Sequence, residues 1–205
     1  MKREFQPKAL NTSLFEALVA ARRKFGGSKI IIEDQDRKPM SYDMFVTAAF
    51  ALSRLLKRHI GDDKRIGLML PTSVGGALTF WGMHILGRAP VMINFTAGQA
   101  NVKAAVQVSG IKTVITSRKF IVQAKLEDLA EAMSAYVRLI YLDDIRKELS
   151  FADKAYAAIA ARIPLLFAKK AGPDDIGVIL FTSGSFGSPR GVVLSQRNLV
   201  GNTRQ

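Results

Sequence analysis

Strand-like and helix-like segments alternate along this 205-residue chain, and the alternation predicts an α/β fold: a mainly parallel sheet with helices on both faces. Three observations carry the prediction. Short apolar or β-branched runs recur, amphipathic stretches separate them, and serines and glycines stand where helices should start and stop.

Taken in order, 29-KIIIE-33 reads as a strand. Ser41 then caps a helix over 41–60 with Phe45, Ala49, Leu52, Leu55 and Leu56 on one stripe, and Gly61 ends it. The run 65-RIGLMLP-71 is nearly all apolar, as a strand covered on both faces would be. Ser73 caps a helix to about residue 86, with Gly87 as its stop. Strands at 90–94, 112–117 and 137–142 alternate with helices over 99–110, about 121–134 and about 144–161. The stretch 164–175, broken by Pro164, Gly172 and Pro173, leads into a last strand at 176–182. Crossovers between parallel strands should be right-handed, and stacked strand–helix units of this kind place ligand-binding loops at the C-terminal ends of the strands.

Composition narrows the classes of function. Hydrophobic residues make up 48% and charged ones 23%, as in a folded domain. There is no cysteine, so disulfides and thiolate metal sites are excluded, and two isolated histidines suggest no metal centre. The opening MKREFQPKAL lacks the apolar core of a signal peptide, and the absence of cysteine fits a cytoplasmic location. The apolar region 74–93 is broken by His84, Arg88 and Pro90, so no transmembrane helix is read there. A net charge of +13 would attract an acidic protein, an anionic inner-membrane surface or nucleic acid. Nucleic acid ranks last, because no aromatics interleave with the basic groups. Arg54, Lys57 and Arg58 share one helical face, readable as a solvated face or as a binding patch. His59 is followed four residues later by Asp63, but the two sit at a helix end before a strand and read as a solvated terminus.

The most informative stretch is 180-LFTSGSFGSPRGVVLS-195. Thr182, Ser183, Ser185 and Ser188 offer hydroxyls, and the backbone at Gly184 and Gly187 can approach a ligand closely. Successive N–H groups in such a turn form an anion-binding concavity. Arg190 adds a fixed positive charge suited to phosphate, and Gly191 permits tight packing on the return strand. The bland alternative is a glycine-rich hairpin joining two strands. Neither a Walker A loop nor a dinucleotide fingerprint is present.

The same residues resemble the phosphate-binding signature of the adenylate-forming (AMP-binding, acyl-CoA synthetase-like) enzymes, Thr/Ser-Ser-Gly-Thr/Ser-Thr-Gly-x-Pro-Lys-Gly-Val. Residues 182–192 match it at nine of eleven positions, with Phe186 and Arg190 out of pattern. Together with 67–98, the run 180–202 looks most like the acyl–acyl-carrier-protein synthetase half of bifunctional 2-acylglycerophosphoethanolamine acyltransferases.

That resemblance implies a fatty-acid ligase using ATP and Mg²⁺. The fatty acid carboxylate would attack the α-phosphate, giving acyl-adenylate and pyrophosphate. The acyl group would then pass to a thiol of acyl carrier protein or of CoA. It implies that Thr182, Ser183, Gly184, Ser185 and Gly187 cradle phosphate with Gly191 at the loop's exit, and that Arg190 takes the place of the family's lysine. It further implies that residues 1–205 are an N-terminal fragment of the ligase domain, inactive alone, with adenine-binding and catalytic residues beyond Gln205. Two rivals stay open: a long-chain acyl-CoA synthetase, and a non-catalytic basic α/β module binding a nucleotide or lipid phosphate.

Overall fold

The computed structural model describes residues 10–35, 37–182 and 189–204. Its first element, α1 (Leu14–Phe25), precedes the periodic pattern read from the sequence. Its signals are local. Ser13 Oγ accepts from the Glu16 N–H at 3.2 Å, and the Ser13 N–H donates to the Glu16 carboxylate at 2.8 Å, a reciprocal capping box. That backbone N–H is the main reason the Glu16 pKa lies below the usual carboxylate value.

The predicted strand at 29–33 forms as β1 (Ile30–Ile32) but lies outside the main sheet. It pairs antiparallel with β2 (Met40–Ser41) alone. Ser41 ends β2 and at once caps α2 (Tyr42–Ile60), its Oγ accepting from the Met44 N–H at 3.3 Å. Then follow β3 (Arg65–Leu68), α3 (Val74–Ile85) capped by Ser73, β4 (Ala89–Met92), α4 (Gln99–Ser109) and β5 (Thr113–Thr116). Gly61, Gly87 and Gly110 hold positive φ angles of 57°, 64° and 64° at the ends of α2, α3 and α4, as expected of stop residues.

Two predicted helices are divided. The segment 121–134 becomes α5 (Arg118–Gln123) and α6 (Glu127–Ser134), because Lys125 adopts φ +54° between them. The break lets Phe120 and Ile121 of one helix, and Leu129 and Met133 of the other, enter the same core. After β6 (Arg138–Tyr141), the segment 144–161 becomes α7 (Leu142–Ile145), a 3₁₀ turn at Arg146–Glu148, and α8 (Phe151–Ala160). A second capping box, Ser150 with Asp153, restarts the chain as α8. The connection at 164–175 contains α9 (Pro164–Phe167), with proline in its first turn. The chain then runs through β7 (Ile176–Thr182), β8 (Arg190–Ser195) and α10 (Gln196–Arg204).

Six strands form one sheet in the order β6-β5-β3-β4-β7-β8. All neighbours are parallel except β7 and β8. Both faces are covered. Met69, Val91, Val114 and Met133 belong to a core under α4–α6, while Ile66, Leu68 and Ile115 meet Leu55, Leu56 and Met83 from α2 and α3. That two-sided burial is why the strands read as continuous apolar runs. A second layer packs α1 and α8 outside α2 and α3, through Phe15, Val46, Phe50 and Ala157. Among the described residues no helix is long and apolar enough to cross a membrane.

Candidate functional site

The glycine-rich stretch leaves the sheet from β7, which runs parallel to β4 with Ile179 opposite Val91. Its departure point therefore lies on the C-terminal edge of the parallel strands, where ligand-binding loops of such sheets occur. Thr182 pairs with Arg190, the last rung of an antiparallel ladder that reaches back to Ser195 opposite Ile176. The strand pair thus brings Thr182 and Arg190 together at the mouth of the loop.

Ser183, Gly184, Ser185 and Gly187, with Phe186 and Ser188, lie outside the described residues. Thr182, Arg190 and Gly191 are described, and all three are exposed. Among the described residues no carboxylate forms an ion pair with Arg190, so the loop's exit carries an unneutralised cation. A bidentate guanidinium left in this way is suited to an anionic ligand. The packing reason for Gly191 is corrected: a Cβ there would sit 3.5 Å from the Phe181 ring, in ordinary contact. Gly177 is the glycine that packing demands, since a Cβ would come within 2.7 Å of Leu199 and 3.1 Å of the Ser195 backbone.

The strand pair is tied to the body through α10. The Gln196 N–H donates to the Asp175 carbonyl at 2.9 Å, and the Arg197 guanidinium makes two 3.0 Å bonds to the Asp174 carboxylate. The Gln196 side chain is buried. Its Oε1 accepts from the Leu14 N–H at 3.0 Å, and its Nε2 lies 3.3 Å from His84 Nδ1 and 3.4 Å from the Ile176 carbonyl. One amide therefore joins α1, α3, β7 and α10. The phosphate-binding signature at 182–192 stops short of Gln196. Its only sequence signal is its place directly after the return strand.

Other sequence candidates separate in space. His59 Nε2 meets Glu148 at 2.9 Å, while Asp63 accepts from Thr113 Oγ1 at 3.0 Å, so the two have different partners and form no catalytic pair. The binding-patch reading of Arg54, Lys57 and Arg58 is also corrected. Arg54 Nε donates to Asp153 at 2.8 Å, Arg58 binds the same oxygen, and Arg54 stacks 4.6 Å from the Tyr156 ring centroid. Two of the three charges hold α8 against α2, leaving Lys57 exposed. Among the described residues no group of three or more His, Cys, Asp or Glu could hold a metal ion.

Comparison with known proteins agrees with this architecture. A family model described as AMP-binding enzyme matches residues 18–205. A 4-coumarate–CoA ligase of Pinus taeda is 26% identical over 158 residues, covering 74% of this chain and 27% of that protein. The 4-coumarate–CoA ligase 1 of Petroselinum crispum is 25% identical over 197 residues, covering 96% of this chain and 34% of its own. The chain thus spans about a third of the length of these curated relatives.

Among solved structures, VinN in complex with 3-methylaspartate superposes with a TM-score of 0.72 at 19% identity, over 95% of this chain and 50% of that one. At that identity the likeness speaks for the fold. The inhibitor-bound N-terminal domain of FACL13 from Mycobacterium tuberculosis gives a TM-score of 0.67 at 25% identity, over 90% of this chain and 45% of that one. With the family model spanning nearly the whole chain and the parallel sheet in place behind the glycine-rich stretch, the protein belongs to the AMP-binding enzyme family.

Proposed function

We propose that this chain is the phosphate-binding part of an ATP-dependent ligase that activates a fatty acid as its acyl-adenylate and passes the acyl group to the thiol of acyl carrier protein. The observation that carries the reading is the ladder end at Thr182 and Arg190. There a guanidinium with no ion pair among the described residues stands at the exit of a hydroxyl- and glycine-rich stretch, on the C-terminal edge of the parallel strands. In the first step a carboxylate oxygen bonds to the α-phosphorus of ATP, and the bond from that phosphorus to the pyrophosphate oxygen breaks. In the second, the thiol sulfur takes the acyl carbon and AMP leaves.

Each residue then has a defined task. Thr182, Ser183, Gly184, Ser185 and Gly187 hold the outgoing phosphates, and Gly191 continues into the return strand. Arg190 offsets the charge that develops on the leaving pyrophosphate. Mg²⁺ in such sites is held largely by substrate phosphates, so it requires no dedicated cluster of protein ligands. Because the chain spans about a third of its curated relatives, the activity is proposed for the enzyme that carries this chain. Residues 1–205 are proposed to be its N-terminal part, inactive alone.

A second acceptor has support of its own: the curated relatives named above are CoA ligases, which favours CoA thiol in place of the carrier protein. Fatty-acid-dependent exchange of labelled pyrophosphate into ATP tests the first step on the whole enzyme. Its absence with every fatty acid, alongside exchange with another carboxylate, overturns the substrate class. Incubating the charged enzyme with carrier protein or CoA then assigns the acceptor. Exchange catalysed by the 205-residue chain itself would contradict the proposal that it is inactive alone.

A further inference from the structure

A helix on a protein surface normally turns a polar face to water, but on α8 the outward residues are apolar except for Lys154. Asp153, Ala157 and Ala160 face inward. The opposite face presents Phe151, Ala155, Ala158 and Ile159, all exposed, with Phe151 at 86% of its full accessibility. The apolar surface continues past the helix through Ile163, Leu165 and Leu166, the last at 77%. Isolated exposed apolar side chains are common, but a contiguous run of this kind marks a contact surface.

Charge points to the kind of contact. Between residues 149 and 171 the only acid is Asp153, and it is fully buried with Arg54 and Arg58 on it. Lys154, Arg162, Lys169 and Lys170 are all exposed. Arg162 borders a shallow open depression formed with Ala158, Ile159 and Ile163. Bulky apolar side chains fringed by cations, with no outward acid between residues 149 and 171, match a bilayer interface: apolar groups enter the acyl boundary while cations meet anionic headgroups. A protein partner of matching chemistry would need its own apolar patch ringed by acids. A bilayer offers both features without further design.

We propose that the outward face of α8 and α9 docks on the surface of an anionic lipid bilayer. The inference is independent of which carboxylate or thiol the enzyme takes. Co-sedimentation with vesicles of phosphatidylcholine, with and without phosphatidylglycerol, tests it on the 205-residue chain and on the enzyme that carries it. Binding is expected to anionic vesicles and to fall with added salt. Phe151→Ser combined with Leu166→Ser should lower the partition coefficient about tenfold, and Lys154→Glu with Arg162→Glu at least as much on anionic vesicles. These side chains are exposed, so circular dichroism should be unchanged. Failure of the unaltered protein to bind, or binding indifferent to both double variants, overturns the proposal. So does a vesicle-free dimer that Phe151→Ser with Leu166→Ser dissolves, which would assign the face to a second copy of the chain.

Discussion

Gln196 donates its side-chain N–H to Nδ1 of His84 across 3.3 Å, and the direction of that bond follows from a third group. The Gln196 oxygen accepts from the Leu14 N–H at 3.0 Å, so its nitrogen must face the imidazole. His84 is therefore neutral with its proton on Nε2, an atom with no partner among the described residues. A second proton on Nδ1 would set two donors against each other. Turning the amide over would only move the conflict to Leu14. Burial supplies the same bias and lowers the His84 pKa from 6.5 to about 4.

The sign of the pH dependence follows. Above about pH 6.5 His84 is neutral both folded and unfolded. Between 6.5 and 4 the unfolded chain takes up the proton and the folded chain does not, so stability falls as pH drops. From pH 7 to pH 5 the loss from this one group is about 2 kcal/mol. His84→Asn, whose oxygen can still accept from Gln196, should remove that loss. Urea unfolding at the two pH values measures it. Equal losses in the two proteins would show that His84 is not the titrating group.

Asp153 joins residues 54, 58 and 150 in one buried carboxylate site. Its pKa lies far below the carboxylate range, first because the Ser150 hydroxyl donates to it at 2.7 Å, then through the Ser150 backbone and the two guanidiniums, against the cost of burial. A depressed acid stabilises the fold above its ordinary value near 3.8, and that stability is lost as pH falls below it. Asp153→Asn leaves two arginines with a neutral partner and weakens the helix start. The expected destabilisation is about 3 kcal/mol. Arg54→Met and Arg58→Met should each cost less, because the other arginine still pairs. Thermal melts of the three variants rank these effects.

Arg190 is exposed and without an ion pair among the described residues, so replacing it should leave folding intact. Arg190→Ala in the whole enzyme should lower fatty-acid-dependent pyrophosphate exchange about 100-fold, as removal of one transition-state donor does elsewhere. Arg190→Lys keeps the charge and should retain most of the rate. A rate unchanged by Arg190→Ala would remove the residue from the phosphate site.

Much of this architecture is legible in the sequence because its signals are local. Ser41 and Ser73 cap helices, Gly61, Gly87 and Gly110 end them, and apolar runs such as 65–71 mark strands covered on both sides. The glycine-rich stretch is legible for the same reason. What escapes is carried by long-range partners. Nothing near Arg54 announces Asp153, 99 residues away, and nothing near Gln196 announces His84 or Leu14. The helix α1 had local signals in Ser13, Glu16 and Gly26, but it lies ahead of the alternating pattern that organised the rest of the chain.

The division between α5 and α6 escapes for another reason: the residue that makes it is neither glycine nor proline. Lys125 holds φ +54°, a conformation that costs an L-residue roughly 1–2 kcal/mol. Its side chain is exposed, and its backbone N–H donates to the Val122 carbonyl at 3.2 Å. The backbone is held there because both flanking helices must deliver apolar side chains to one core. Lys125→Gly removes the steric cost at the expense of a looser unfolded chain, so a net gain of about 0.5–1 kcal/mol is expected. Lys125→Val, branched at Cβ, should lose more than about 1 kcal/mol at the same position. Urea midpoints of the two variants decide the matter. Stabilisation by valine would mean that Lys125 is not left-handed and that the two helices run on as one.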